Sequence, residues 1–258
     1  MILKGRSICK GKAEGKVLKL EGALSFLGGV ESSTGEVKVE NGGNVHGRIL
    51  VFPRGKGSTV GSFVMYDLKA HGKEPAAVIN ASAETIVATG AVISSIPMVD
   101  QIDVKLIRDG DDVIVNADEG TVELLNVKKI TVVSSAVMID GKVLLLRRPD
   151  TARSYAGYWS LCAGKLEKDE SLEEAAIREI KEETQIVVDK AKGSLPPIHV
   201  REGGIIWEVY PFIFDAGSAT PVLNKENVEY KLLTVDEMRG MKLVDYTIEV
   251  TEQMLPML

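Results

Sequence analysis

Along the first half of the chain, apolar and polar positions fall into short alternating runs separated by glycine, the pattern of β-strands joined by tight turns. Residues 17–20, 35–39 and 47–52 are such runs. After Phe52 the period changes. Val60, Phe63, Val64, Asp67 and Leu68 recur at three and four residues and predict a helix with an apolar stripe, stopped at Gly72. Ala76-Ala77-Val78-Ile79-Asn80 reads as a buried parallel strand, and a second helical stretch over 83–92 leads to a further strand within 96–100. Residues 112–115 and 121–124 alternate about Asp118-Glu119-Gly120 and predict a hairpin. This order suggests a glycine-rich β layer packed on a small βαβ layer.

The second half carries longer elements. Residues 130–139 and 143–148 predict two strands joined at Asp140-Gly141. Over 172–184, Leu172, Ala175, Ala176 and Ile180 form an apolar stripe at i, i+3, i+4 and i+8, with Ser171 as N-cap and Glu174 at the reciprocal capping-box position. Residues 205–215 read as a strand with one buried face, which places Trp207, Tyr210, Phe212 and Phe214 in the core. Residues 245–254 predict a closing helix.

Composition divides the chain at the same place. Residues 1–126 hold 17 of the 25 glycines, whereas nine of the 13 aromatic residues follow residue 127, so two separately organised units are expected, 1–126 and 129–258. A length of 258 residues gives each half enough chain for its own core. The net charge of −6 argues against nucleic acid or an anionic membrane as the main partner. Two cysteines, Cys9 and Cys162, make neither a disulfide framework nor a cysteine-only metal site. Met1-Ile2-Leu3 runs directly into Lys4 and Arg6, with no leader-like apolar stretch and no membrane-length run, so the expected setting is cytoplasmic.

Two stretches carry chemistry. In Arg54-Gly55-Lys56-Gly57-Ser58-Thr59, two glycines let the backbone approach an anion, Arg54 and Lys56 supply charge, and the helix that follows presents free N–H groups. The spacing is not that of a Walker A loop, and Ser58 or Thr59 would serve equally as a plain helix N-cap. Residues alone point to a small anionic ligand. In the second half, Glu179, Glu182 and Glu183 lie on one helix face at i, i+3 and i+4. Three carboxylates so close repel unless a cation neutralises them, and hard oxygen donors suit Mg2+ or Mn2+. A solvated face offset by Lys181 is the ordinary alternative for a glutamate-rich helix.

Both stretches resemble known families. Phe26-Leu27-Gly28-Gly29-Val30, the run from Leu50 through Pro53-Arg54-Gly55-Lys56-Gly57-Ser58-Thr59 to Ser62, and the segments 90–93 and 96–100 resemble the small, swivelling-domain subunit of the aconitase-X group, which includes archaeal phosphomevalonate dehydratase. The resemblance implies a swivelling β/β/α domain that closes over a large subunit bearing an iron–sulfur cluster. It implies Ser58 as proton acceptor in loss of water from mevalonate 5-phosphate, and Arg54, Gly55, Lys56, Gly57 and Thr59, read above as an anion site, are the candidates to bind that substrate. The segment 36–47 is shorter than the family pattern, and Glu31-Ser32-Ser33 replaces its usual turn. Such clusters need three or four thiolates, so the large subunit must be a separate chain.

Gly164, Glu170, Arg178-Glu179-Ile180 and Glu182-Glu183 fall at the spacing of the Nudix box, G-x5-E-x7-R-E-U-x-E-E-x-G-U, with Gln185 in place of the last glycine. That resemblance implies a Nudix α/β/α sandwich, and so a two-domain α/β chain overall. It implies hydrolysis of a nucleoside diphosphate derivative, with Mg2+ or Mn2+ held by Glu179, Glu182, Glu183 and the Gly164 carbonyl. Arg178 would orient Glu170, and Glu183, Glu226 or Glu229 would act as general base. Arg147, Arg148 and Arg153 are candidates to grip phosphates. Tyr155, Tyr158 and Trp159 either stack on a base or pack inside, with packing preferred for Trp159 and a structural role for Cys162. A homodimer through the Nudix half is compatible with the resemblance, as is a Nudix-fold sensor that regulates a dehydratase without hydrolysis. The intact carboxylate set favours the enzyme.

Overall fold

In the computed structural model, which describes residues 1–39 and 42–258, the chain divides into two units, Met1–Lys128 and Lys129–Leu258. The first opens with β1 (Ile2–Lys4), β2 (Arg6–Cys9) and β3 (Lys12–Lys19), then a single broken turn, α1 (Phe26–Gly29). A two-stranded ribbon, β4 (Glu36–Val37) and β5 (Gly43–Asn44), follows. Of the shortened segment 36–47, Glu40 and Asn41 lie outside the described residues. Then come β6 (Ile49–Phe52), α2 (Val60–Ala70), β7 (Ala77–Asn80), α3 (Thr85–Ile93), β8 (Met98–Asp100) and the hairpin β9 (Asp112–Asn116) and β10 (Thr121–Leu124).

The strands order as β1-β10-β9-β3-β6-β7-β8-β2. β3 is the seam. Its residues 12–16 pair antiparallel with β9, and its residues 17–19 pair parallel with β6. β6, β7 and β8 run parallel, joined by α2 and α3 as crossovers. Every residue of β6 and β7 is buried, as expected of strands covered on both faces. On one face Leu50, Phe52, Val78 and Met98 meet Met65 and Leu68 of α2 and Val87 and Ala91 of α3.

One expectation holds only in part. Of the predicted stripe of α2, Leu68 and Val64 do pack inward, but Val60 and Phe63 are 46% and 66% exposed, and the fully buried line is Gly61, Ser62, Met65 and Leu68. Close approach at the start of α2 selects small residues: a Cβ on Gly61 would lie 3.2 Å from Ile86 Cγ2 and 3.7 Å from Phe26 Cβ. With Gly61 inward, Phe63 turns about 200° away along the helix.

The sheet edge is closed by charge. Asp100, 1% exposed, accepts from Arg6 Nε at 3.0 Å and Nη2 at 2.7 Å and from the Ala83 N–H at 3.1 Å. Burial opposes ionisation of Asp100, but these donors prevail and hold its carboxyl below the usual carboxylate range. A depressed folded-state pKa gives stability that is present above the unfolded value and lost as pH falls through the folded one. Asp100→Asn is expected to cost about 2 kcal/mol by leaving donors poorly matched. Melting curves below pH 4 should then lose part of their acid sensitivity; an unchanged acid slope would show that other groups govern it.

The second unit contains β11 (Lys128–Ile139), β12 (Lys142–Arg147), β13 (Trp159–Ser160), β14 (Cys162–Lys165), α4 (Leu172–Thr184), β15 (Gly193–Ser194), β16 (Ile198–Glu202), β17 (Ile205–Asp215), β18 (Glu229–Leu233), α5 (Val235–Met238) and α6 (Thr247–Met254). β11 is central, between β12 and β17 on the main path β13-β12-β11-β17-β15, and β14 also pairs with it. The sheet is covered on both faces. α4 sets Ala175, Ala176 and Ile180 against Val133, Val137, Leu144, Leu146 and Phe214. α6 sets Val250 and Met254 against Ala136, Met138, Leu145, Leu161 and Ile213. These are alternate residues of the same strands, so the two helices lie on opposite faces. Among the described residues no helix is long and apolar enough to cross a membrane.

Candidate active site

The segment 53–59 leaves the C-terminal end of β6 and is tied down on two sides. The Pro53 carbonyl accepts from the Ala81 and Ser82 N–H groups, both at 3.1 Å, and Asn80 Nδ2 donates to the Phe52 carbonyl at 2.7 Å. On the other side Leu24 N–H donates to Arg54 O and Lys56 N–H to Leu24 O, at 3.1 and 2.9 Å. Gly57 has φ +107°, and a Cβ there would lie 2.8 Å from Ser25 Oγ, so only glycine fits without strain. Arg54, Lys56, Ser58 and Thr59 are exposed around this fixed backbone. Ser58 Oγ accepts from the Val60 N–H at 3.2 Å, a helix-capping contact, while Thr59 makes no side-chain cap bond. The segment thus presents an exposed serine at a helix start, preceded by two exposed cationic residues.

In the second unit α4 forms over Leu172–Thr184, with both halves of the Ser171/Glu174 capping box made. Gln185 takes the left-handed conformation, φ 58°, that the missing glycine would have adopted without strain. Arg178 is the organiser of the helix face. Its Nε and Nη2 hold Glu170 at 3.0 and 2.8 Å, and Nη2 also donates to the Lys165 carbonyl at 3.0 Å. Its Nη1 reaches Glu179 at 2.8 Å and Glu182 at 3.2 Å. Arg178 keeps the Glu170 carboxyl below its ordinary range, and the carboxylates raise the guanidinium pKa in turn.

Glu183 points elsewhere. It is 7% exposed and accepts from Asn227 Nδ2 at 3.0 Å and from the Ala163 N–H at 3.1 Å. Burial pushes its pKa up to about 7 against those donors, and negative charge on Glu179 and Glu226 adds to the rise. Burial likewise raises Glu179. Glu226 is therefore near enough to sense both, whereas Glu229 lies on β18 opposite Arg147.

Gly164 lies beneath Glu179. A Cβ on it would sit 1.8 Å from the Glu179 carboxyl carbon. Gly164→Ala must therefore displace that carboxylate, the mobile end of its side chain, and if Glu179 takes part in a metal-dependent reaction turnover should fall at least about tenfold with little loss of stability. Turnover equal to wild type would remove Glu179 from the reaction.

The carboxylates suit a hard divalent cation in donor type, and Glu170, Glu179 and Glu182 together outnumber the one cation, Arg178, that they face. They do not yet converge on one point: among the described residues no three acidic, imidazole or thiolate groups are gathered to hold an ion. Glu179 and Glu182 are instead turned onto Arg178, and Glu182, 57% exposed, is free to rotate.

On the opposite face of the sheet, against α6, lies a cavity of about 310 Å3 that reaches Ala163 and Gly164. Successive residues of one strand end diverge here. Arg148 lines the cavity and donates to the Ser154 carbonyl at 3.2 Å, whereas Arg147 pairs with Asp150 at 2.9 Å. Arg153 is exposed outside it.

Trp207 corrects the sequence reading. It lines the cavity, and only Tyr210, Phe212 and Phe214 join the core against α4. Position parity explains this: 207 is odd and the other three are even, so a period of two sends the indole to the other face. Tyr155 also lines the cavity, while Trp159 is buried at 7% exposure and Cys162 fully so. Asn227, which steadies Glu183, was invisible to motif spacing because it approaches from a distant loop.

Comparison with known proteins matches this division. Residues 2–124 match the aconitase X swivel domain model and residues 129–253 the NUDIX domain model. The phosphomevalonate dehydratase small subunit of Thermococcus onnurineus is 56% identical over 128 residues, 48% of this chain and 98% of that protein. The crystal structure of Thermococcus kodakaraensis aconitase X (holo-form) shares 56% identity, covers 48% of this chain and 98% of its own, and gives a TM-score of 0.47. The MutT protein of Methanosarcina mazei Go1 shares 31% identity over 50% of this chain and 94% of its own, with a TM-score of 0.43. Over its first half the chain belongs to the phosphomevalonate dehydratase small-subunit family, with an aconitase X swivel domain, and its second half is a NUDIX domain.

Proposed function

We propose that the second unit is a Mg2+- or Mn2+-dependent pyrophosphohydrolase acting on a nucleoside diphosphate derivative. The observation that carries this is the buried Glu183 carboxyl, held by Asn227 and the Ala163 N–H with no cationic partner among the described residues, on a helix whose Arg178 is anchored to Glu170. Glu179, Glu182 and Glu183 would hold the cation, with the Gly164 carbonyl beside them. When bound, the ion supplies positive charge that offsets charge developing on the diphosphate and eases deprotonation of water. Asn227 and the Ala163 N–H orient Glu183, and Arg178 holds Glu170 in place. Arg148 offers a phosphate contact at the cavity wall. Divalent-ion-dependent phosphate or nucleotide release by the purified chain, abolished by loss of Glu182 and Glu183, is the deciding measurement.

The first unit is proposed to act in dehydration of mevalonate 5-phosphate only when a large subunit carrying an iron–sulfur cluster is supplied. The small-subunit relatives support that partner, and Ser58, exposed on a rigid segment, is the proposed proton acceptor. Arg54, Lys56 and the backbone of Gly55 and Gly57 face the anionic substrate beside it.

A further inference from the structure

The cavity on the α6 face has aliphatic walls, including Val132, Leu161, Val200 and Val209, with hydroxyl residues such as Ser134 and Ser160 among them. Four residues from four separate segments meet at its rim. Trp207 Nε1 donates to Glu202 Oε2 at 3.2 Å, and the Tyr155 hydroxyl donates to Asp245 Oδ2 at 3.0 Å. Each aromatic ring spends its one donor on a carboxylate, which fixes the ring. Each carboxylate keeps a second oxygen that accepts nothing among the described residues.

Backbone strain marks the same rim. Tyr155 and Tyr246 have φ of 52° and 65°, a left-handed conformation that bulky residues rarely hold without a constraint from their surroundings.

These groups specify a ligand. Carboxylates only accept hydrogen bonds, so they favour a group rich in N–H and repel both a keto oxygen and a phosphate. Flat aromatic faces suit a flat ring. Arg148 and Gly164, which also line the cavity, are the candidates for the phosphate side, and the base belongs against Trp207 and Tyr155. Resting on the pyrophosphohydrolase reading above, we infer that this cavity selects nucleotides whose base bears an exocyclic amino group, with Glu202 and Asp245 as the specificity residues.

The test compares matched pairs on the full chain with Mg2+: CTP against UTP, GTP against ITP, and ATP against ITP, with isopentenyl diphosphate as an aliphatic control. kcat/KM is measured for each, and binding is followed separately by quenching of tryptophan emission without metal. Trp207 reports on the cavity, whereas Trp159 is buried. At least one amino base should be preferred by about tenfold or more over the partner that lacks that amino group, the size of a well-placed base contact. Glu202→Gln with Asp245→Asn keeps an acceptor for Trp207 and Tyr155 but adds a donor, and it should erase that preference in both readouts. Trp207→Leu should weaken all bases alike and leave the ratio standing.

Equal values within every pair, a preference unchanged in the double variant, or preferred use of isopentenyl diphosphate would overturn the inference. Selective quenching without hydrolysis would instead sink the hydrolase reading and leave the selectivity intact. Neither hydrolysis nor quenching would sink both.

Discussion

Replacing Glu182 and Glu183 together by glutamine is expected to lower Mg2+-dependent hydrolysis by about a thousandfold or more, because a catalytic cation contributes several kcal/mol of charge stabilisation and each 1.36 kcal/mol is a factor of ten. The two residues fail for different reasons. Glu182 is exposed and free to turn toward a cation, so its loss removes a ligand with little effect on folding. Glu183 is buried, and glutamine keeps its shape and the acceptor for Asn227 and Ala163 while removing the charge. Burial raises Glu183 to about 7, so the apo helix carries a carboxylate that resists ionising, and a bound cation would favour the ionised form. The double variant should therefore stay folded yet gain less thermal stability from added Mg2+ than the parent does. Wild-type rates in the double variant would eliminate the proposed metal site.

Ser58→Ala, in a complex reconstituted with a large subunit, is expected to reduce dehydration by about a hundredfold to ten-thousandfold, the range contributed by a positioned proton-transfer group. Stability separates the two roles the sequence left open. Ser58 Oγ accepts from Val60 N–H, so the alanine variant should also lose about 1 kcal/mol as a missing helix cap. A cap alone would lower the melting temperature and leave turnover per folded complex unchanged. A proton acceptor would lose turnover even where the variant is fully folded. Intact turnover would show that another group takes the proton.

Local rules made much of this molecule legible. α4 begins and ends where its cap residues place it because Ser171, Glu174 and the apolar stripe all act within a few residues of one another. The hairpins at Asp140-Gly141 and Asp118-Glu119-Gly120 formed for the same reason: turn geometry is set by residues adjacent in sequence. α2 was located correctly, and Val64 and Leu68 of its predicted stripe pack inward, but Val60 and Phe63 do not, since the inward side is chosen by what it packs against. Trp207 was misassigned where a parity count along β17 would have sent it to the cavity face.

By itself the sequence determined two units, the motif each one bears and the spacing of the carboxylates along α4, because those depend on composition and on separations of a few residues. Only the tertiary structure decided that Glu179 and Glu182 rest on Arg178 while Glu183 is buried against Asn227. It alone brought Glu202, Trp207, Tyr155 and Asp245 to one cavity rim. Burial and side-chain orientation arise from segments tens of residues apart packing across a sheet. No local pattern encodes which of them will meet.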